Sequence, residues 1–290
     1  MNFWQKLFST EKPAHNDTTA VPKSRPSAPQ ISLWHGVGFI VGSKTDIGRQ
    51  RDQNQDAIYT FESYVESNAG KDPFGIFVVA DGMGGYQKGD IASNLAARTA
   101  AGYIVRHVYL PYLTESHSSA QIPLTEALQN AVHLANDAVV QETPEGGTTL
   151  TMAVTMGRQA YLAHVGDSRA YLYHRQTLQQ ITQDHSLVAR LVELGQATAE
   201  EAQVHPQRNV LYRAIGQTDS LEVETYLQPV PAEGFLLLCS DGLWGMVSDD
   251  EMTKILNSAE SPQHAANALI DAANANGGDD NISVVIVGIG

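Results

Sequence analysis

Residues 77–93 read FVVADGMGGYQKGDIAS. An apolar run enters one aspartate, Asp81, and the chain then passes Gly82, Gly84 and Gly85 before an Ala-rich stretch begins. A short apolar run bounded by glycines has the signature of a buried strand. An ionised carboxylate at the edge of such a strand is costly unless something positive meets it. The same pattern recurs where GFLLLCS meets Asp241 and where AYLAHVG meets Asp167. Asp279 and Asp280 stand just before ISVVIVGIG, and Asp56 stands before AIYTF. One such aspartate is ordinary turn chemistry. Repeated along the chain, with glycines beside most of them, they call for cations. Lys and Arg total only 18, and few lie near these loops. Divalent ions fill the role, because clustered carboxylate oxygens are hard ligands that suit Mg²⁺ or Mn²⁺. Neighbouring glycines let backbone carbonyls approach the ion as well.

Working outward, strand-like runs rich in Val, Ile, Tyr and Phe fall at 37–41, 56–61, 74–80, 148–156, 160–165, 169–173, 222–227, 234–239 and 281–289. Helices are expected over 88–109, 122–142, 184–194 and 261–276. In 184–194, Leu187, Leu191 and Leu194 share one helical face, and Gly195 is a stop signal. Ser261 and Pro262 open the last helix and Gly277 closes it. Helices grouped in pairs between runs of strands imply an α+β fold with mainly antiparallel sheets, not a βαβ alternation. Residues 9–30, rich in Ser, Thr and Pro, have a linker composition. Residues 1–30 are therefore expected to be a disordered tail, and 31–290 a single folded domain. Phe3, Trp4, Leu7 and Phe8 would share one face of a short helix, as a docking tip or as a frayed terminus.

The chain has 290 residues, 42% of them hydrophobic and 17% charged, enough to bury a real core. A formal net charge of −14 argues against general binding to nucleic acid or anionic membranes. The single cysteine, Cys239, forbids an internal disulfide and suits a reducing compartment. No stretch reaches the ~18 apolar residues that cross a bilayer. The start lacks the apolar core of a secretory signal, so a cytoplasmic location is expected. Other chemistries fail on their spacing. Gly245, not Arg, lies six residues after Cys239, so no phosphate-cradling loop accompanies a nucleophilic thiol. Gly84 and Gly89 have P-loop spacing, but Asp90 stands where the Lys belongs. There is no G-x-S-x-G elbow and no zinc spacing of Cys and His.

In order along the chain, RDQNQDAIY, VVADGMGGYQKGDIAS, GTTLTMAVTMGRQAYLAHVGDSRAYLY, QITQDHSLV, LLLCSDGLWGMVSDDE and GGDDNISVVIV resemble the motifs of the metal-dependent serine/threonine protein phosphatases of the PPM (PP2C) family, in its bacterial form. The resemblance runs over roughly residues 35–290. It implies a four-layer α/β/β/α sandwich of two antiparallel β-sheets with a metal cluster at one end. By position it implies that Asp81 bridges two ions, that Asp241 and Asp280 complete the first ion's ligands, and that the Gly82 carbonyl binds the second. Asp167 resembles the aspartate that helps hold a third, weaker ion. Arg51 matches the arginine that grips substrate phosphate, and Asp56 an aspartate that holds a metal-bound water. Residues 185–215 resemble the variable flap.

Gln55 stands where many relatives carry Glu, and Met83 and Tyr86 leave no histidine in the glycine loop to act as general acid. A metal-bound water or another histidine would then protonate the leaving oxygen, with His164, His185 and His205 as candidates, each with a plain structural alternative. The implied function is hydrolysis of phosphoserine and phosphothreonine in proteins, with two Mn²⁺ or Mg²⁺ ions, in a monomer. A partner serine/threonine kinase or its substrates would be among the proteins acted on. A phosphatase-like regulatory module and a phosphatase of small phosphoesters are the alternatives.

Overall fold

Strand β3 (Gly70–Met83) shows how the layers arise. Successive strand residues face opposite sides of a sheet. Ile76, Val78 and Ala80 accordingly join a core shared with helices, while Phe77 and Val79 join a second core on the other face. Strand β11 (Ile282–Ile289) divides in the same way: Val284 and Ile286 face helices, and Val285, Val287 and Ile289 face the same second core as Phe77. Both strands are apolar on both faces because both sheets are covered twice.

The computed structural model describes residues 38–67, 70–84, 88–114, 122–198, 201–202, 204–217 and 221–289. The tail expected at 1–30, and Tyr86, lie outside the described residues. The remaining strands are β1 (Phe39–Asp46), β2 (Asp56–Ser67), β4 (Gly147–Thr148), β5 (Leu150–Met156), β6 (Gln159–Val165), β7 (Arg169–His174), β8 (Thr177–Gln180), β9 (Glu224–Pro229) and β10 (Gly234–Cys239). The helices are α1 (Lys88–Ile104), α2 (Leu110–Leu113), α3 (Leu124–Glu142), α4 (Leu187–Glu193), α5 (Asp241–Trp244), α6 (Asp249–Ser258) and α7 (Pro262–Ala275). One sheet has the order β2-β3-β5-β6-β9, with β4 on β3, and the other has the order β1-β11-β10-β7-β8. Every ladder is antiparallel. Helices α1 and α3 cover the first sheet, and α6 and α7 cover the second. The order helix, sheet, sheet, helix is the expected four-layer sandwich.

The inter-sheet core changes character at one end. Along β3 the inward face runs Phe77, Val79, then Asp81; along β10 it runs Leu236, Leu238, then Ser240; along β11 it runs Val287, Val285, then Ser283. On β2, Asp56 lies opposite Asp81 in register. The apolar filling between the sheets thus ends in a layer of carboxylates and hydroxyls drawn from both sheets.

Several elements differ from their expected bounds. β1 continues through polar residues to Asp46, because it is an edge strand paired with β11 on one side only. β8 is short, polar and also an edge, so it lacks the apolar run of a core strand. The helix expected over 88–109 is α-helical to Ile104 and π-helical over Val105–Tyr109. In α4 the leucine stripe is not the buried face: Val188 is buried and Leu194 is 53% exposed. The boundary signals Ser261, Pro262 and Gly277 hold, with Ser261 Oγ accepting from the His264 amide at 3.1 Å and Gly277 at φ 135°.

Candidate active site

The loop 47–55 between β1 and β2 is fixed by the C-terminal turn. The Arg49 amide donates to the Gly278 carbonyl at 2.7 Å. Asn281 Nδ2 donates to the carbonyls of Ile47 and Gln53, both at 2.9 Å, while its Oδ1 accepts from the Gln55 amide at 2.8 Å. Arg51 is held over the end of the sandwich by this loop, with Nη2 donating to Asp280 Oδ2 at 2.6 Å. Half of the Arg51 side chain remains exposed. The Asp280 hydrogen bond, together with the charges of Asp241 and Asp81, raises the Arg51 pKa further.

Asp81 lies where three strands meet. Its amide donates to Thr149 Oγ1 at 2.9 Å, and its carbonyl accepts from Thr148 Oγ1 and from the Thr149 amide, both at 2.8 Å. Thr149 Oγ1 is in turn 2.7 Å from Ser168 Oγ. Gly82 is required by close approach: a Cβ there would fall 2.2 Å from the Gly89 carbonyl oxygen and 2.5 Å from that of Gln55. The Gln55 side chain lies against Gly89 at the start of α1.

Burial pushes the Asp81 carboxyl well up, and the charges of Asp56, Asp241, Asp167 and Asp280 add to the effect. Burial raises Asp56 to about 7, although Ser240 Oγ donates to its Oδ2 at 2.7 Å. Asp241 is raised to about 6 by burial and by Asp280, and is hydrogen-bonded with Asp81. Asp167 is pushed up by burial, then by Asp241 and Asp184. Arg51, Asp56, Asp81, Gly82, Asp167, Asp241 and Asp280 therefore meet at one end of the inter-sheet core. They come from β2 and β3 of one sheet, from three loops, and from the start of α5 just after β10 of the other sheet.

This donor set fits divalent ions. Asp56 Oδ1 and Asp241 Oδ1 are buried without a hydrogen-bond partner. Mutually repelling carboxylates with unpartnered oxygens are stabilised by a hard cation, which inverts the local electrostatics. Among the described residues, no three His, Cys, Asp or Glu side chains form a ready-made cage. Asp241 is engaged with Asp81, and Asp280 with Arg51. The case for ions rests on charge and ligand chemistry, not on coordination geometry.

The other candidates fall outside this centre. His164 is fully buried between Thr151 Oγ1 at 2.9 Å and the Gln183 carbonyl at 3.0 Å, and burial lowers it to about 3. His185 is buried and lowered by the same cause. His205 lies in the 185–215 segment, where its Nδ1 accepts from the Gln207 amide at 3.1 Å. Cys239 is a buried core residue, and burial pushes its thiol well up. Sequence reasoning misses Ser240, Thr149, Ser283 and Asn281. Strand parity was a usable signal for Ser240, since it follows Leu236 and Leu238 on one face. Trp244 and Arg169 were also missed. Trp244 Nε1 donates to the Asp167 carbonyl at 3.0 Å. Arg169 stacks on the Trp244 ring at 3.7 Å and binds Asp184 through two nitrogens.

The family model described as Protein phosphatase 2C matches residues 42–282. The serine/threonine phosphatase stp of Listeria welshimeri is 39% identical over 244 residues, covering 84% of this chain and 93% of that one. The protein phosphatase PhpP of Streptococcus pneumoniae is 35% identical over 243 residues, with 84% and 94% covered. Among solved structures, the serine/threonine phosphatase PstP/Ppp of Mycobacterium tuberculosis superposes with a TM-score of 0.71 at 31% identity, covering 87% of this chain and 99% of that one. The catalytic domain of PstP in complex with two manganese ions gives a TM-score of 0.69 at 30% identity, with 87% and 98% covered.

Proposed function

The chain belongs to the protein phosphatase 2C family and is a protein serine/threonine phosphatase; from that premise we propose how its own residues carry the reaction. The observation that supports the reading most is the convergence of five raised or paired aspartates beside Arg51. Asp81, Asp241, Asp280 and the Gly82 carbonyl would hold two divalent ions, Mn²⁺ or Mg²⁺, and Asp167 a third. When bound, the ions supply a water of lowered pKa and cancel charge on the phosphate.

In the net reaction, water oxygen bonds to phosphorus, the bond from phosphorus to the serine or threonine oxygen breaks, and that oxygen leaves with a proton. Arg51 binds the phosphate. One of its nitrogens is anchored on Asp280 and half of its side chain is exposed, and a planar guanidinium can meet two phosphate oxygens. Anchoring also limits the freedom lost on binding, which favours productive orientation. Ser240 fixes Asp56 Oδ2, so its unpartnered Oδ1 is the atom that would orient the attacking water. No side-chain nucleophile is needed, in keeping with the buried, protonated Cys239.

The substrates are phosphoserine and phosphothreonine proteins, with a partner kinase or its targets among them, acted on in the cytoplasm. Among the described residues, no helix is long and apolar enough to cross a membrane. The test is Asp241→Asn assayed on a phosphothreonine peptide at saturating Mn²⁺. Turnover is expected to fall by orders of magnitude, and near-parental turnover would remove Asp241 from the centre.

A further inference from the structure

The flap is joined to the body through its first residue. The His185 amide donates to the Gly166 carbonyl at 2.7 Å, and His185 Nδ1 accepts from the Gly166 amide at 3.0 Å. One residue thus grips Gly166 through both of its backbone polar groups. Gly166 adopts φ 111°, and a Cβ there would meet Thr149 Cβ at 2.6 Å, so this turn tolerates no other residue without moving. Asp167 follows directly, and its carbonyl is held from the other side by Trp244. With Nδ1 accepting from Gly166, Nε2 lies between Arg213 Nη1 at 2.9 Å and Glu224 Oε1 at 3.1 Å. The ring is wholly buried, stacked near His164 at 4.8 Å.

The outward connection is equally direct. The His185 carbonyl accepts from the Tyr212 amide at 3.0 Å, and the Leu187 amide donates to the Val210 carbonyl at 2.8 Å, which closes the flap on itself. At the far root, Ile215 and Thr148 exchange amide-to-carbonyl bonds at 2.9 and 3.1 Å, and Thr148 Oγ1 holds the Asp81 carbonyl. One root of the flap is therefore hydrogen-bonded to the residue before Asp167, and the other reaches Asp81 through two successive hydrogen bonds.

We infer that His185 is a positioning residue, which sets the Gly166–Asp167 turn for its ion and couples that ion to the order of the flap. The inference rests on the reading of Asp167 as an ion ligand. It adds a residue that touches neither ion nor substrate. Groups that orient a metal ligand from behind change metal affinity by about 10–100-fold when removed. Coupling of this kind is reciprocal: if His185 ties the flap to the ion, the ion must order the flap.

Two substitutions separate the clamp from mere filling of space. Asn at 185 can place an oxygen where Nδ1 accepts from Gly166, whereas Gln places its polar end at the Glu224 side. Mn²⁺ binding is measured by calorimetry on the full chain without substrate, alongside thermal melts. His185→Gln is expected to weaken the weakest Mn²⁺ site by about tenfold or more, His185→Asn to retain most of its affinity, and Asp167→Asn to lose that site. Adding Mn²⁺ to the parent is expected to slow hydrogen exchange at the Leu187 and Tyr212 amides, and to leave it unchanged in Asp167→Asn. Parental Mn²⁺ affinity in Asp167→Asn would overturn the ligand reading itself. Loss of the site in Asp167→Asn, with parental affinity in His185→Gln, would overturn the clamp alone. If His185→Gln does not fold, exchange at the flap amides of the parent decides, and exchange indifferent to Mn²⁺ overturns the coupling.

Discussion

At Asp241 and Asp56 burial works against stability. Both carboxyls keep their protons to higher pH when folded, about 6 and about 7, than in the unfolded chain, where they titrate near ~4. As pH rises from about 4 to 7 the unfolded chain has already released protons that the folded one retains, so folding stability falls across that window. Asp241→Asn removes one buried charge without changing its shape. In EDTA at pH 8 this variant is expected to melt above the parent, and the gap is expected to narrow through pH 5 and nearly close by about pH 4. A lower melting temperature at both pH 8 and pH 5 would refute the electrostatic account. His164 has the opposite sign. Burial lowers it to about 3, so the unfolded chain takes up a proton near ~6.5 that the folded one refuses. Its contribution is complete above about 6.5 and is lost as pH falls toward 3, on the order of a few kcal/mol by pH 4. His164→Gln should flatten the urea stability profile between pH 7 and 4.5, and an equally steep profile counts against the assignment. The aspartates were legible in the sequence because glycine-flanked carboxylates at strand ends carry a local signal. Ser240, Thr149 and Asn281 carry none, because their roles depend on which distant strand or loop comes to lie opposite.

Elements were legible where their own residues decide them, and illegible where a neighbour does. β3, β10 and β11 are apolar on both faces and announce themselves. β1 beyond Val41 and the whole of β8 are polar edge strands whose extent is set by their partners, β11 and β7. Helix α6 did carry a signal, since Ser248 and Glu251 have capping spacing, and Ser248 Oγ accepts from the Glu251 amide at 3.3 Å. The contact of α7 with β1 is invisible in the sequence and yields a prediction. A Cβ on Gly42 would fall 2.2 Å from the Pro262 carbonyl carbon and 2.3 Å from the Gln263 nitrogen. Backbone, unlike a side-chain tip, cannot swing away, so Gly42→Ala must lift the first turn of α7 from the sheet. Overpacking of this kind costs about 1–3 kcal/mol. Urea unfolding should show a loss in that range, and an unchanged midpoint would mean that the helix shifts freely.

At the scale of the whole molecule, the sandwich sets Asp81 at the end of β3 against Asp241, which follows β10, and Asp280, which precedes β11, so the proposed ligand set links ion binding to the docking of the two sheets. A ligand that binds only the folded chain stabilises it by about 2.7 kcal/mol at a hundred times its Kd. For a domain of this size each kcal/mol moves Tm by about 2–4 °C, so saturating Mn²⁺ should raise Tm by about 5–10 °C. Proton linkage shapes that gain. The ions require ionised carboxylates, and Asp56 and Asp241 hold protons up to about 7 and about 6, so ion affinity climbs with pH through this range and binding releases protons. The rise in Tm on adding Mn²⁺ should therefore be larger at pH 8 than at pH 5.5. It should not be reproduced by NaCl at matched ionic strength, although the net charge of −14 means that salt alone relieves some general repulsion. Scanning calorimetry at the two pH values, with EDTA, Mn²⁺ and NaCl in parallel, separates the effects. A Mn²⁺ shift equal to that of NaCl, or one that shrinks as pH rises, is incompatible with carboxylates that give up protons to bind ions between the sheets.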